Sequence, residues 1–149
     1  MSEKIVSVNR KASHDYFLVE RFEAGIVLTG TEIKSIRKGK VQFKDAYITF
    51  IKNEAYIKEM HIAPYDHGNI FNHDETRERK LLLHKLEIRK LQQKVKLKGF
   101  TIVPCKMYLK NGRAKLEIAL AKGKDLSDKR QDDKIKTAKR EMERALKLR

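Results

Sequence analysis

The stretch from Val103 to Ala121 reads VPCKMYLKNGRAKLEIALA and places an Asn-Gly pair between two runs of alternating apolar and polar residues. Asn and Gly both tolerate positive φ, so Asn111-Gly112 predicts a two-residue type I′ turn whose twist matches that of the flanking strands. The turn sets the register of the hairpin. Leu109 then faces Ala114, Met107 faces Leu116, Cys105 faces Ile118 and Val103 faces Leu120, all on one face, which is the predicted core side. Lys106 opposite Glu117 and Tyr108 opposite Lys115 fall on the other face. A slip of one residue would turn every apolar side chain outward, so the turn and the alternation agree independently. Pro104 has no N–H for the ladder and points to an edge or a bulge.

The other elements are read around this hairpin. DYFLVERFEAGIVLTG (15–30) is rich in aromatic and β-branched residues and has no helical period, which predicts one long strand with a bulge or bend at Gly25. TGTEIKSIRKGK predicts a short helix capped by Gly30 or Thr31, with Glu32 in its first turn and Gly39 supplying a left-handed end. AYITFIKNEAYIKEM (46–60) predicts a hairpin around Lys52-Asn53-Glu54, and residues 61–79 predict a long, functional or mobile loop. Ile88, Leu91 and Val95 form one helical stripe closed by Gly99, and RKLLLH before it is compatible with an extended segment. Residues 1–13 are polar and basic and are expected to be a loose arm. Strands at both ends with a helix between them predict a mainly β fold with flanking helices (α+β), a small closed OB-fold-like β-barrel. The one composition shift, at Gly123, divides a body of residues 1–122 from a tail of residues 123–149.

Charge narrows the function. The 149-residue chain has a net charge of +15, and the last 27 residues hold ten basic and six acidic side chains, leaving +11 for the body. A domain this basic points to a polyanion, nucleic acid before anionic membrane. Cys105 is the only cysteine, so neither an internal disulfide nor a cysteine zinc cluster can form. No apolar run reaches the roughly 18 residues of a membrane span, the N-terminus lacks a secretory pattern, and a cytoplasmic setting is expected. His14, His61, His67, His73 and His84 show no metal-ligand spacing and are read as surface or backbone-bonded. Glu20 and Glu23 are three apart, so on a strand they point to opposite faces and make a poor acid–base pair. No catalytic residue, metal or cofactor is expected. The positive signal is Tyr108 among Lys106, Arg113 and Lys115, because aromatic faces stack bases and cations hold phosphates; an ordinary solvated hairpin face would look the same. In the tail, Ile135, Ala138, Met142, Ala145 and Leu146 make a thin helical stripe. Such a segment is marginal alone and can fold on a charged partner or remain a solubilising extension.

FEAGIVLTGTEIKSIRKGK, RERKLLLHKLEI, GFTIVPCKMYLKNGRAKLEIALAKGK and DKR, in that order, resemble SmpB, the SsrA-binding (tmRNA-binding) protein family, from about Asn9 to Arg130. The resemblance implies an OB-fold barrel that binds the tRNA-like domain of tmRNA. It also implies delivery of that RNA, with elongation factor Tu, to stalled ribosomes for trans-translation. It implies RNA contacts at Glu23, Leu82 and Lys115, with Asn9, Arg10, Lys11 and Tyr16 as additions, beside the Tyr108 and Arg113 of the hairpin. It further implies a tail that is disordered in free protein and helical in the mRNA channel. Asp128, Lys129 and Arg130 would then lie near the decoding centre, with Lys134, Lys139, Arg140, Arg144, Ala145 and Leu146 beyond. Ser127 stands where the family often has a stacking residue, and Glu75 where its loop has proline. The competing reading is a basic, OB-like structural ribosomal protein, and a metal-dependent nuclease is a distant third.

Overall fold

The computed structural model describes residues 3–65, 72–124 and Arg140. The tail positions Asp128, Lys129, Arg130, Lys134, Lys139, Arg144, Ala145 and Leu146 therefore lie outside the described residues, and Arg140 is exposed.

The predicted hairpin is the centre of the fold. Strand β8 (Phe100–Lys110) pairs antiparallel with β9 (Arg113–Gly123). The turn residues Asn111 and Gly112 have φ of 52° and 78°, as a type I′ turn requires. Leu109 faces Ala114, Met107 faces Leu116, Tyr108 faces Lys115 and Lys106 faces Glu117, as the turn dictates. Beyond Lys106 the register shifts, so Ile118 faces Pro104 and Leu120 faces Ile102 rather than Cys105 and Val103. The bulge lies where proline breaks the ladder. The backbone N–H of Asn9 donates to the Cys105 carbonyl at 2.7 Å, and the Asn9 side-chain amide donates to the Pro104 carbonyl at 2.8 Å. Asn9 thereby satisfies acceptors that the bulge turns away from the sheet.

The expected loose N-terminal arm is ordered in the described residues. Glu3–Val8 forms β1, which pairs with β8, and Arg10–Asp15 forms the short helix α1. The long strand β2 (Tyr16–Ile26) has its bulge at Val19 rather than at Gly25. Gly25 instead marks a change of partner: it faces Lys115 of β9 on one side and Leu82 of β7 (Arg79–Leu82) on the other. A Cβ added there would lie 3.2 Å from the Leu82 Cβ, so the absent side chain lets β7 approach. Helix α2 (Gly30–Arg37) is capped by Thr29, one residue before the expected cap. The Thr29 hydroxyl accepts from the Glu32 N–H, and the Glu32 carboxylate accepts from the Thr29 N–H at 2.8 Å, a capping box visible as T-G-T-E. Strand β3 (Val41–Gln42) pairs with β6 (His61–Ile62), and β4 (Tyr47–Ile51) pairs with β5 (Glu54–Lys58) through a turn at Lys52-Asn53. Helix α3 (Lys85–Val95) buries Ile88 and Leu91.

The main sheet has seven strands in the order β1-β8-β9-β2-β7-β5-β4. Its edge strands β1 and β4 are not hydrogen-bonded to each other, so the mainly β architecture with helices is realised as an open sheet and not as the closed barrel expected. The OB-fold is itself a partly open barrel. One face encloses Phe22, Ala24, Ile36, Ile57, Leu81, Leu91, Met107, Leu116 and Ile118. The alternation that buries Ala24, Leu81 and Leu116 turns their neighbours Glu23, Leu82 and Lys115 outward.

A buried ion cluster fastens the 61–79 segment to α2. Glu32 and Arg79 are both fully buried and bonded to each other. Arg77 donates to the other Glu32 oxygen at 2.6 Å, and Arg79 donates to the carbonyls of Met60 at 2.8 Å, Glu75 at 3.2 Å and Asp74 at 3.3 Å. Glu75, in place of the family's proline, also pairs with His61 at 2.8 Å. His73 bridges the Ile62 carbonyl and the Thr31 hydroxyl, each at 2.9 Å, a backbone-bonded histidine as the sequence suggested.

Candidate RNA-binding groove

Four strands and the start of α3 form the walls of an open groove. Glu23 and Gly25 come from β2, Leu82 from β7 and Lys115 from β9, with Glu54, Lys80, His84 and Lys85 around them. The pairing explains the meeting. Gly25 faces both Leu82 and Lys115, and Glu23 lies two residues back on the same side of β2. Residues 23, 82 and 115, far apart in the chain, thus share one depression. Leu82 is 54% exposed, which is unusual for a leucine on a strand and offers an apolar surface to a base or sugar. Lys115 supplies a cation and Glu23 an acceptor.

Glu23 is held from below. The Tyr108 hydroxyl donates to its Oε2 at 2.5 Å, and Lys110 Nζ donates to the same oxygen at 3.5 Å. The Tyr108 bond, with the nearby Lys110 and Lys115, lowers the Glu23 pKa from its usual value against the opposing effect of burial. Tyr108 itself is only 4% exposed, with Lys106 Nζ 5.4 Å from its ring centroid. The open, base-stacking ring expected from alternation alone is therefore not what the fold presents. Strand β1 pairs along the edge of β8 here, with Ile5 directly opposite Tyr108.

The remaining expected residues divide. Arg113 is exposed at the hairpin end, opposite Lys110, and does not line the groove. Asn9, Arg10, Lys11 and Tyr16 line a second hollow with Gln42, Lys44 and Tyr47. Of these, Asn9 spends its side-chain amide on the Pro104 carbonyl. The sequence reading missed Lys110, and it took Gly25 for a bend rather than for the residue that faces two strands. Lys110 had a visible signal, since it continues the alternation of Lys106 and Tyr108. Cys105 is buried, and that burial pushes its thiol up to about 11, far from a reactive thiolate. Among the described residues no group of His, Cys, Asp or Glu could hold a metal, and no helix is long and apolar enough to cross a membrane.

A basic β-sheet protein with a groove that combines a cation, an exposed apolar side chain and a fixed acceptor is of the nucleic-acid-binding class. The model of the family described as SmpB protein matches residues 6–148, and the chain belongs to that family. It is 58% identical to an SsrA-binding protein of Lysinibacillus sphaericus over 98% of this chain and 94% of that one. It is 53% identical to an SsrA-binding protein of Clostridium tetani over the same shares. Among solved structures, a chain described as "tmRNA-SmpB: a journey to the center of the bacterial ribosome" matches with a TM-score of 0.69 and 46% identity, covering 84% of this chain and 92% of that one. These matches favour the SmpB reading over that of a structural ribosomal protein.

Proposed function

We propose that this protein binds the tRNA-like domain of tmRNA (SsrA RNA) through the Glu23–Leu82–Lys115 groove and brings it to stalled ribosomes for trans-translation. The observation that carries this reading is the convergence of three residues from three separate sequence motifs in one open groove. The body supplies non-specific attraction through its net positive charge, and the groove supplies position and selectivity. Tyr16, Arg10 and Lys11 extend the contact over the second hollow, with Arg113 reaching phosphate from the hairpin end. The delivery complex includes elongation factor Tu, the setting is the bacterial cytoplasm, and the role is binding rather than catalysis. The basic tail enters the mRNA channel of the ribosome, with Asp128, Lys129 and Arg130 nearest the decoding centre.

The test is to capture the protein from bacterial cells at physiological salt and sequence the RNA held on it. tmRNA enriched far above its cellular share, and amounts of protein well below one per ribosome, are expected. Ribosomal RNA in equimolar amount, without tmRNA, would return the structural ribosomal reading.

A further inference from the structure

We infer that Tyr108 is a positioning residue for RNA recognition, fixing the Glu23 carboxylate so that its second oxygen serves as an acceptor for a donor group of the RNA, an exocyclic amino or a ribose 2′-hydroxyl. This rests on the reading of the groove as the RNA site. Glu23 is a puzzle in such a site, because a carboxylate repels phosphate and gains nothing from the polyanion's field. Its value must lie in accepting a hydrogen bond, and a flexible glutamate accepts well only if its rotamer is held. Tyr108 supplies that restraint. The ring is buried, so it is itself immobile, and its hydroxyl meets Oε2 at 2.5 Å. Lys110 Nζ touches the same oxygen at 3.5 Å. No described residue donates to Oε1, and Glu23 lines the groove.

The surrounding charges do not supply the same restraint. On β9, Lys115 is the residue opposite Tyr108, and Glu117, opposite Glu23, is engaged by Arg21 at 3.5 Å and by Lys106 at 3.7 Å. On β7, Lys80 is paired with Glu54 at 3.1 Å. On β1, Glu3 lies opposite Lys110. These groups set the field around Glu23, whereas the Tyr108 hydroxyl sets its direction. The sequence pattern offered Tyr108 as a stacking platform; the fold uses its hydroxyl and hides its ring.

Tyr108→Phe keeps the buried ring and removes only the hydroxyl. Affinity for the tRNA-like RNA is expected to fall about fivefold, within the range for losing one good hydrogen bond. Tyr108→Phe added to Glu23→Gln is expected to cause no further loss, because Tyr108 acts through Glu23. In the free protein, the Glu23 carboxyl followed by carbon NMR should titrate at higher pH in Tyr108→Phe than in the wild type, a change that a purely packing role would not produce. Unchanged affinity in Tyr108→Phe, or losses that add to those of Glu23→Gln, overturns the inference. Lys115→Ala serves as the reference. If it weakens binding while Tyr108→Phe does not, only the positioning role fails; if neither does, the groove is not the RNA site.

Discussion

Arg79→Met should destabilise the fold by about 3–5 kcal/mol, because it leaves the fully buried Glu32 carboxylate without its buried partner. Against a typical domain stability of about 5–15 kcal/mol, that is a large share. Glu32→Leu should cost a similar amount by stranding Arg79 on the carbonyls of Met60, Asp74 and Glu75. The double variant Glu32→Leu/Arg79→Met should recover most of the loss, since two apolar side chains need no desolvated charge. The pH dependence follows from the same cluster. Burial alone would raise the Glu32 pKa, but the bonds from Arg77, the Thr29 N–H and Arg79 outweigh it and hold the pKa below the ordinary 4.5. A carboxyl with a lowered folded pKa stabilises fully above its unfolded pKa, and that contribution disappears as pH falls through the folded value. Urea unfolding at pH 7 and between pH 5 and 3 should show a steep acid loss in the wild type and a shallower one in the double variant. Additive single-variant losses would show that Glu32 and Arg79 are not coupled.

Removing residues 131–149 should abolish peptide tagging on stalled ribosomes while leaving the body folded. The body's last strand, β9, ends at Gly123, so the deletion takes no core side chain. It removes seven basic and four acidic residues, a net loss of only three positive charges. Affinity for the tRNA-like RNA should therefore fall by no more than a few-fold at physiological salt. What disappears is the stripe of Ile135, Ala138, Met142, Ala145 and Leu146 and the cations beside it, the part proposed to become helical against ribosomal RNA. Leu146→Asp, which sets a carboxylate on that stripe, should impair tagging with little change in tmRNA binding. The paired measurement is tmRNA affinity by gel shift and tagging in a reconstituted stalled-ribosome reaction. Full-rate tagging by the truncated protein would reduce the tail to a solubilising extension, and loss of tmRNA binding would make it part of the RNA site.

Local chemistry was legible in the sequence wherever one short stretch held the whole signal. Asn111-Gly112 specified both turn and register as far as Lys106, and Pro104 announced the disturbance beyond it. T-G-T-E contains the full capping box, with Thr29 as the cap where composition alone points to Gly30 or Thr31. Long-range partnerships were not legible. Glu32 and Arg79 are 47 positions apart, and each looks like an ordinary surface charge until the fold buries both. Strand β1, EKIVSV, carries Ile5, Val6 and Val8, but it is short and sits in a polar, basic N-terminal stretch that resembles a loose arm. With β1 missed, the edge of the hairpin beside Tyr108 looks open, whereas Ile5 of β1 is paired directly opposite it. Of the three groove residues, Lys115 was also marked by the hairpin register, whereas Glu23 and Leu82 came from resemblance alone. Their meeting depends on Gly25 facing two strands at once, which no local pattern encodes.

The most direct test compares two lysines of equal charge. Lys115 lines the groove and Lys98 is exposed outside it, so Lys115→Ala and Lys98→Ala remove the same charge from different places. With the tRNA-like domain of tmRNA at physiological salt, Lys115→Ala should weaken binding by about tenfold, equivalent to about 1.4 kcal/mol, while Lys98→Ala stays within about twofold, as loss of a distant screened charge should. Equal, small losses from both would mean that the RNA is held by net charge alone and that the groove is not its site.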